Sequence, residues 1–121
     1  MAPEMVVRKL LHSLGYRFRL HVKTLPGKPD IVFTRRKKAI FVHGCFWHQH
    51  EDKNCKISRL PKSRQEYWIP KLQRNTERDK KHILLLENEG WQILVLWECE
   101  LRQTEDLAHR LNHFLGPTRF I

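Results

Sequence analysis

The sequence predicts an α/β domain in which a mixed β-sheet is flanked by helices. The chain has 121 residues, which is the size of one domain with a single core. Segments with apolar residues at helical spacing alternate with short apolar segments, in the order helix, strands, helices, strand, helix. Two of the short segments, residues 39–42 and 91–97, are almost continuously apolar, as in strands that are buried on both faces.

The first predicted element is a helix over residues 3–14. Pro3 suits a first helical turn, and Gly15 follows the last apolar residue of the helical pattern. Residues 16–22 alternate aromatic or aliphatic with basic side chains, which is consistent with a strand. The two prolines within residues 25–29 then predict a turn.

The remaining strands and the last helix follow from apolar runs and a capping residue. Residues 31–33 and 39–42 are predicted to form antiparallel strands joined by a charged turn at residues 34–38. Residues 91–97 form a further buried strand, and Thr104 is expected to cap the last helix.

Two helices are predicted in the region between these strands. Ser63 and Glu66 could form a capping box at the start of the first helix, and Pro70 should end or kink that helix. The second helix is expected over residues 75–89 and should stop at Gly90.

The charge of the chain points to a polyanionic partner, of which nucleic acid is the commonest. There are 23 Lys and Arg against 13 Asp and Glu, a formal net charge of +10. Residues 53–81 carry ten of the basic residues and three acids, together with Tyr67 and Trp68. This stretch is the candidate nucleic-acid face. The alternative is a solvated helix surface that binds nothing.

Other classes of protein are excluded by composition. No apolar run approaches the ~18 residues of a membrane span, and the N-terminus lacks the pattern of a secretion signal. We therefore expect a soluble cytosolic protein that binds no membrane. Three cysteines cannot all pair within the chain, so a disulfide scaffold is ruled out and metal ligation competes with simple burial.

Cysteine and histidine are concentrated in the irregular segment at residues 44–61. Zinc binds four Cys or His ligands in a tetrahedron, and such a site would stabilise a segment that has no structure of its own. The alternative is that the cysteines are only buried and the histidines only exposed. The candidate ligands are Cys45, His48, His50, Cys55 and Cys99.

The spacing leaves open which histidine would bind zinc. If His50 is the ligand, His48 is free to act as a general base, a role that suits its unperturbed pKa near ~6.5. The reverse assignment, or neither, fits the spacing equally well.

A second candidate site begins at Asp30, at the start of a predicted strand. In metal-dependent nucleases a carboxylate at a strand start and a polar group on the neighbouring strand converge on Mg²⁺. Nucleases of this architecture normally carry an acidic residue two positions before a lysine on the second strand, but Phe41 and His43 occupy those places here. The alternative for Asp30 is an ordinary strand-initiating aspartate.

Phe46 and Trp47 form an aromatic pair beside a candidate metal ligand. They could pack into the core, as aromatic residues in loops usually do. They could instead act as a wedge that unstacks a base step of bound DNA and stacks on its bases.

Four blocks of sequence resemble the very-short-patch-repair (Vsr) DNA mismatch endonucleases, and the resemblance as a whole covers the chain from Glu4 to about Arg102. They match in order and approximate spacing. The blocks are residues 25–30 (Leu-Pro-Gly-Lys-Pro-Asp), 43–48 (His-Gly-Cys-Phe-Trp-His), 75–79 (Asn-Thr-Glu-Arg-Asp) and 97–99 (Trp-Glu-Cys).

This resemblance implies a restriction-endonuclease-like fold in a single domain over residues 1–121. It implies an enzyme that nicks double-stranded DNA 5′ of the thymine in a T:G mismatch, using Mg²⁺, during DNA repair. It further implies a monomer on DNA in the bacterial cytosol or nucleoid, with other repair proteins as possible partners.

The resemblance also implies three groups of site residues: a catalytic magnesium centre, a structural zinc site and a set of DNA contacts. His48 would be the base, and Glu4 would reach metal-bound waters. Some members have threonine at the position of Val42, but the backbone carbonyl of Val42 could still bind the metal. The catalytic centre is Asp30, Val42, His43, His48 and Glu4; the zinc ligands are Cys45, His50, Cys55 and Cys99; the DNA contacts are Phe46, Trp47 and Trp68, which intercalate, and Asn75.

Two other functions fit the same features. One is a zinc-stabilised DNA-binding module without catalysis, since the positive charge and the aromatic residues explain affinity alone. The other is a restriction-type endonuclease of the same fold with a different target.

Overall fold

A mixed four-stranded sheet and three α-helices form the described part of the chain, residues 2–48, 50, 55 and 62–117 of a computed structural model. The prediction of an α/β domain with a mixed sheet is therefore confirmed. Along the chain the elements are α1 (Pro3–Leu14), β1 (Arg19–Leu20), β2 (Ile31–Phe33), β3 (Lys38–His43), α2 (Gln65–Asn88), β4 (Gln92–Trp97), a 3-10 helix (Glu98–Arg102) and α3 (Thr104–Leu115).

The strand order in the sheet is β1-β2-β3-β4. The two pairs formed by β1, β2 and β3 are antiparallel, as predicted for β2 and β3, whereas β3 and β4 are parallel. In the parallel pair, His43 lies opposite Trp97. The segments that follow β3 and β4 therefore leave the sheet at the same edge.

The strand predicted over residues 16–22 is much shorter than expected. Only Arg19 and Leu20 pair with β2, and both side chains are exposed at the edge of the sheet. His21 has a φ of 48°, which an extended strand cannot accommodate. The left-handed conformation of His21 ends β1.

The main core lies between the sheet, α1 and α3. The helical spacing predicted for residues 3–14 is confirmed, and Gly15 ends α1 in the left-handed conformation with a φ of 89°. The buried core residues are Val7, Leu11, Tyr16, Ile31, Phe33, Ile40, Leu96, Leu101, Leu107, Leu111 and Leu115.

The prediction of two helices between β3 and β4 is wrong, because α2 is one helix of 24 residues that contains Pro70. Pro70 is exposed in the second turn, so the main hydrogen bond that it removes is the one to the Glu66 carbonyl. The capping box predicted for Ser63 and Glu66 is also absent: Arg64 is the N-cap, in the left-handed conformation, and makes no side-chain cap. Among the described helices, none is both long and apolar enough to cross a membrane.

The cap predicted at Thr104 is displaced by one residue. Thr104 is the first residue of α3, and Gln103 occupies the N-cap position without a side-chain hydrogen bond. The acidic Glu105 and Asp106 in the first turn complement the helix dipole instead.

A tight turn before β2 packs against α2. The backbone N–H of Lys28 donates to the carbonyl of Leu25 at 3.1 Å, and Gly27 adopts a φ of +74°. A Cβ atom added at Gly27 would lie 2.8 Å from the Cβ atom of His82 in α2. The absence of a side chain at Gly27 therefore allows the close approach of the turn and the helix.

We predict that Gly27→Ala destabilises the fold more than Gly90→Ala does. Both glycines have positive φ values, so each substitution should cost about 1–2 kcal/mol of backbone strain. At Gly90 the nearest atom is the flexible Nζ of Lys37 at 3.7 Å. Gly27→Ala adds a clash with His82, and overpacking of this kind typically lowers the free energy of unfolding by about 1–3 kcal/mol more. Urea unfolding of both variants measures the difference, and equal losses would contradict the close packing of Gly27.

Candidate active site and metal cluster

A cavity of about 150 Å³ lies where β3 ends, between the turn before β2 and the side of α2. It brings together three of the predicted catalytic residues: Asp30, which precedes β2, His43 at the end of β3, and His48 shortly after β3. The lining residues are Gly27, Lys28, Asp30, Phe41, Val42, His43, His48, Asp79, His82 and Ile83.

Asp30 is held in this cavity by the backbone of β3. Its Oδ2 atom accepts a hydrogen bond of 2.7 Å from the backbone N–H of Val42. Burial raises the pKa of Asp30, and the hydrogen bond from Val42 opposes that rise. A carboxylate with this raised pKa would be stabilised by a cation.

Glu4 lies beside Asp30, so α1 contributes to the same region. Its Oε1 atom contacts Nη2 of Arg8 and Nε2 of His21, each at 2.9 Å. Glu4, His21 and Asp30 each offer one possible metal-ligand atom, and these three atoms lie within 4.8 Å of one another. The predicted placement of Glu4 near Asp30 agrees with this geometry, whereas the sequence did not single out His21.

His43 is buried, and only 5% of its surface is exposed. Its ring stacks on that of His48 with a centroid separation of 3.9 Å and an interplanar angle of 5°. Burial, and secondly the charge of His48, lower the pKa of His43 to about 4. Its Nδ1 atom is buried without a hydrogen-bond partner in the described part of the chain. Such an orphaned atom beside a cavity is suited to a bound group.

His48 is oriented by a carboxylate from α2 that the site prediction had omitted. Its Nδ1 atom contacts Oδ2 of Asp79. Because an ionised carboxylate can only accept, Nδ1 would be the donor in this contact, and the neutral ring would then carry its lone pair on Nε2. Asp79 is the last residue of the sequence block 75–79, which was the signal that could have identified it.

The four predicted zinc ligands form a second group, next to the cavity. One donor atom from each of Cys45, His50, Cys55 and Cys99 lies within 4.8 Å of the others. In this geometry His50 joins the cysteines, whereas His48 groups with His43 and Asp79. The cluster could hold a metal ion.

The separations of the donor atoms fit a tetrahedral ion. Nδ1 of His50 is 3.8 Å from Sγ of Cys45 and 3.4 Å from Sγ of Cys99. Metal–sulfur and metal–nitrogen bonds of about 2.3 and 2.0–2.1 Å would place such atoms about 3.6 Å apart in a tetrahedron. Burial raises the pKa of Cys45 to about 12 and also raises that of Cys99. The thiolates would therefore depend on a bound cation.

The parallel pairing of β3 with β4 explains why the cluster forms. Cys45 lies two residues beyond His43, and Cys99 two residues beyond Trp97, at the same edge of the sheet. The backbone N–H of Cys99 donates to Sγ of Cys45 at 3.4 Å. Of the segment predicted to be irregular, residues 49, 51–54 and 56–61 lie outside the described residues.

The aromatic residues predicted to contact DNA form one surface cluster, in which Trp47 is exposed and Phe46 and Trp68 are half-buried. Phe46 contacts Trp47 and Trp68 with ring centroids 5.2 and 5.4 Å apart, and the two tryptophans are 5.9 Å apart. Trp47 remains 48% exposed, so it does not pack into the core. Nδ2 of Asn75 donates to the backbone carbonyl of Trp47 at 3.3 Å. All four predicted contact residues therefore lie together.

A basic groove of about 500 Å³ runs along α2 beside these aromatic residues. Nζ of Lys71 lies 5.6 Å from the ring centroid of Trp47. The groove joins the exposed rings to positive charge and is lined by Tyr67, Lys71, Arg74, Asn75 and Arg78.

Comparison with known proteins finds relatives along most of the chain. The sequence profile described as "DNA mismatch endonuclease Vsr" matches residues 1–55. The type II nicking enzyme V.XorIIP of Xanthomonas oryzae pv. oryzae is 53% identical over 116 residues, covering 96% of this chain and 83% of the relative. The DNA mismatch endonuclease Vsr of Escherichia coli K12 is 42% identical over 107 residues, covering 88% and 67%. The type II nicking enzyme V.NmeAIP of Neisseria meningitidis is 42% identical over 113 residues, covering 93% and 79%.

We predict that the purified protein contains one tightly bound metal ion and that Cys99→Ser or His50→Gln removes it. The loss of one of the four ligands leaves the ion with an incomplete coordination shell, which typically lowers both the metal affinity and the thermal stability of the protein. Elemental analysis after dialysis measures the ion. His113→Gln, an exposed histidine in α3, is the matched control and should keep it. A wild-type protein without metal, or metal retained in both ligand variants, would contradict the cluster.

Proposed function

The chain belongs to the Vsr family of DNA mismatch endonucleases, and from this premise we propose that it nicks one strand of double-stranded DNA 5′ of the thymine in a T:G mismatch. The observation that carries the proposal is the meeting of Asp30, His43, His48 and Asp79 around one cavity, beside an aromatic cluster at the surface. A DNA-binding module without catalysis would have no need of an oriented histidine in a cavity.

Asp30 and the backbone carbonyl of Val42 would hold magnesium in this reaction. Mg²⁺ prefers oxygen ligands, and the half-buried Asp30 carboxylate, fixed by the amide of Val42, offers one. The carbonyl of Val42 would be the second protein ligand, while Glu4 would contact bound waters. When bound, Mg²⁺ would neutralise charge on the scissile phosphate and lower the pKa of a water molecule.

His48 would act as the general base. Its Nε2 atom takes a proton from the attacking water, the water oxygen bonds to phosphorus, and the bond to the leaving oxygen breaks. Asp79 keeps the proton on Nδ1 and stabilises the imidazolium that forms, in the manner of the carboxylate in a hydrolase triad. His43 stacks against the base and limits its rotation, and its Nδ1, which has no hydrogen-bond partner among the described residues, would help to stabilise the charge that develops on the phosphate.

The metal bound by Cys45, His50, Cys55 and Cys99 is proposed to be zinc with a structural role. Thiolate and imidazole ligands in a tetrahedron are typical of zinc, and four protein ligands leave no position for water. The ion would hold residues 45–50 against the end of β4. Phe46 and Trp47 lie within this span, so the site would fix the base of the proposed wedge.

Recognition of the mismatch is assigned to Phe46, Trp47 and Trp68. A wobble pair is easier to unstack than a matched pair, and exposed rings can replace the lost stacking at roughly 1–3 kcal/mol per base. The basic groove on α2 would contact the phosphates nearby. The enzyme is proposed to act as a monomer on DNA.

We predict that Asp30→Asn abolishes nicking while binding of the mismatched duplex survives. The amide keeps the shape of Asp30 but loses the charge that a metal ion needs, so the rate should fall by about 10³-fold or more. Nicking of a labelled T:G duplex with Mg²⁺, and binding without it, are measured side by side. Asp106→Asn in α3 is the control and should nick normally. Full activity of Asp30→Asn would refute the assignment.

We predict that Trp47→Ala weakens discrimination between T:G and matched duplexes more than it weakens affinity for matched DNA. Only the mismatch allows insertion of the ring, so only the complex with the T:G duplex should lose roughly 1–3 kcal/mol of binding free energy. Binding constants for both duplexes give the discrimination ratio. Leu84→Ala, which alters a side chain on α2 that is 60% exposed, should leave the ratio unchanged. Equal losses on both duplexes after Trp47→Ala would argue against a wedge.

A further inference from the structure

The turn before β2 places Lys28 at the catalytic cavity, and the side chain of this lysine has no hydrogen-bond or ion-pair partner among the described residues. Lys28 lies two residues before Asp30 in the chain. Lys37 offers a contrast, because it shares the left-handed conformation but donates from Nζ to the carbonyl of Glu89 at 3.1 Å. The ammonium group of Lys28 is therefore available to a bound molecule.

A positively charged side chain, in addition to the proposed Mg²⁺, would help the cavity to receive a phosphodiester. Its described lining includes two carboxylates, those of Asp30 and Asp79, which repel an anion. Lys28 is the one lysine or arginine among these lining residues. A fixed cation at this position would offset the repulsion at the point where the phosphate must enter.

The backbone holds Lys28 in an unusual conformation. Gly27 and Lys28 have consecutive positive φ values of 74° and 48°, and a residue other than glycine seldom adopts the second. Pro29, which is fully buried, then restricts the chain before Asp30. The direction in which Lys28 leaves the backbone is thus fixed relative to Asp30.

We propose that Lys28 is a further catalytic residue, whose Nζ donates a hydrogen bond to a non-bridging oxygen of the scissile phosphate. Its charge offsets the negative charge that grows on this group as water attacks, so the contact is stronger in the transition state than in the bound duplex. This inference rests on the nuclease activity proposed above.

The test compares Lys28→Met, Lys28→Gln and Lys28→Arg with wild type on a T:G duplex, in single-turnover reactions with enzyme in excess. The two neutral variants should nick roughly 10- to 100-fold more slowly at saturation while the dissociation constant changes less than about threefold. Lys28→Arg should recover most of the rate, because it restores the charge. Lys23→Met is the matched control, since Lys23 is exposed in the same connection but does not line the cavity.

Each other outcome overturns the inference in a recognisable way. If the neutral variants have a larger dissociation constant but an unchanged nicking rate at saturation, Lys28 would be an ordinary phosphate contact outside the reaction centre. Neutral variants that nick as fast as wild type would refute the inference and leave the nuclease proposal standing. A wild-type protein that nicks no duplex, T:G or other, would refute both.

Discussion

The parallel pairing of β3 with β4 is the constraint on which both candidate sites depend. A parallel pair brings the carboxyl ends of two strands to one edge, and here His43 lies opposite Trp97. Beyond that edge, Cys45 and Cys99 are close enough for the amide of one to contact the sulfur of the other. An antiparallel pair would have sent these cysteines to opposite ends of the sheet, and the segment after β3 would have no anchor.

Sequence patterns predicted the features that depend on interactions between residues close together in the chain. The α1 helix ends at Gly15 as expected. The set of four metal ligands followed from the family resemblance instead, since spacing alone left His48 and His50 as alternatives. The role of Asp79 was missed because His48 contacts it across 31 positions of sequence, and no local pattern reports such a contact. Similarly, Pro70 was expected to end or kink a helix, but α2 continues past it, and the exposure of Pro70 allows water to replace the hydrogen bond that it removes.

The segment from His43 to His50 contributes to three sites within eight residues. His43 and His48 face the cavity, Cys45 and His50 face the metal cluster, and Phe46 with Trp47 forms the exposed rings between them. The ring of His50 also stacks on Trp97 with centroids 4.3 Å apart. Because neighbouring residues serve different sites, movement of this segment at one site must displace the others.

The continuity of α2 has a geometric consequence. Trp68, in the first turn, touches the exposed rings, and Asp79, about three turns later, holds the histidine of the cavity. A helix stretches very little, so α2 fixes the distance between Trp68, where a duplex would be probed, and Asp79, near which the DNA backbone would be cut. The offset between mismatch and nick would then be encoded in a count of helical residues, and adding one residue to α2 would swing Asp79 by about 100° around the helix axis.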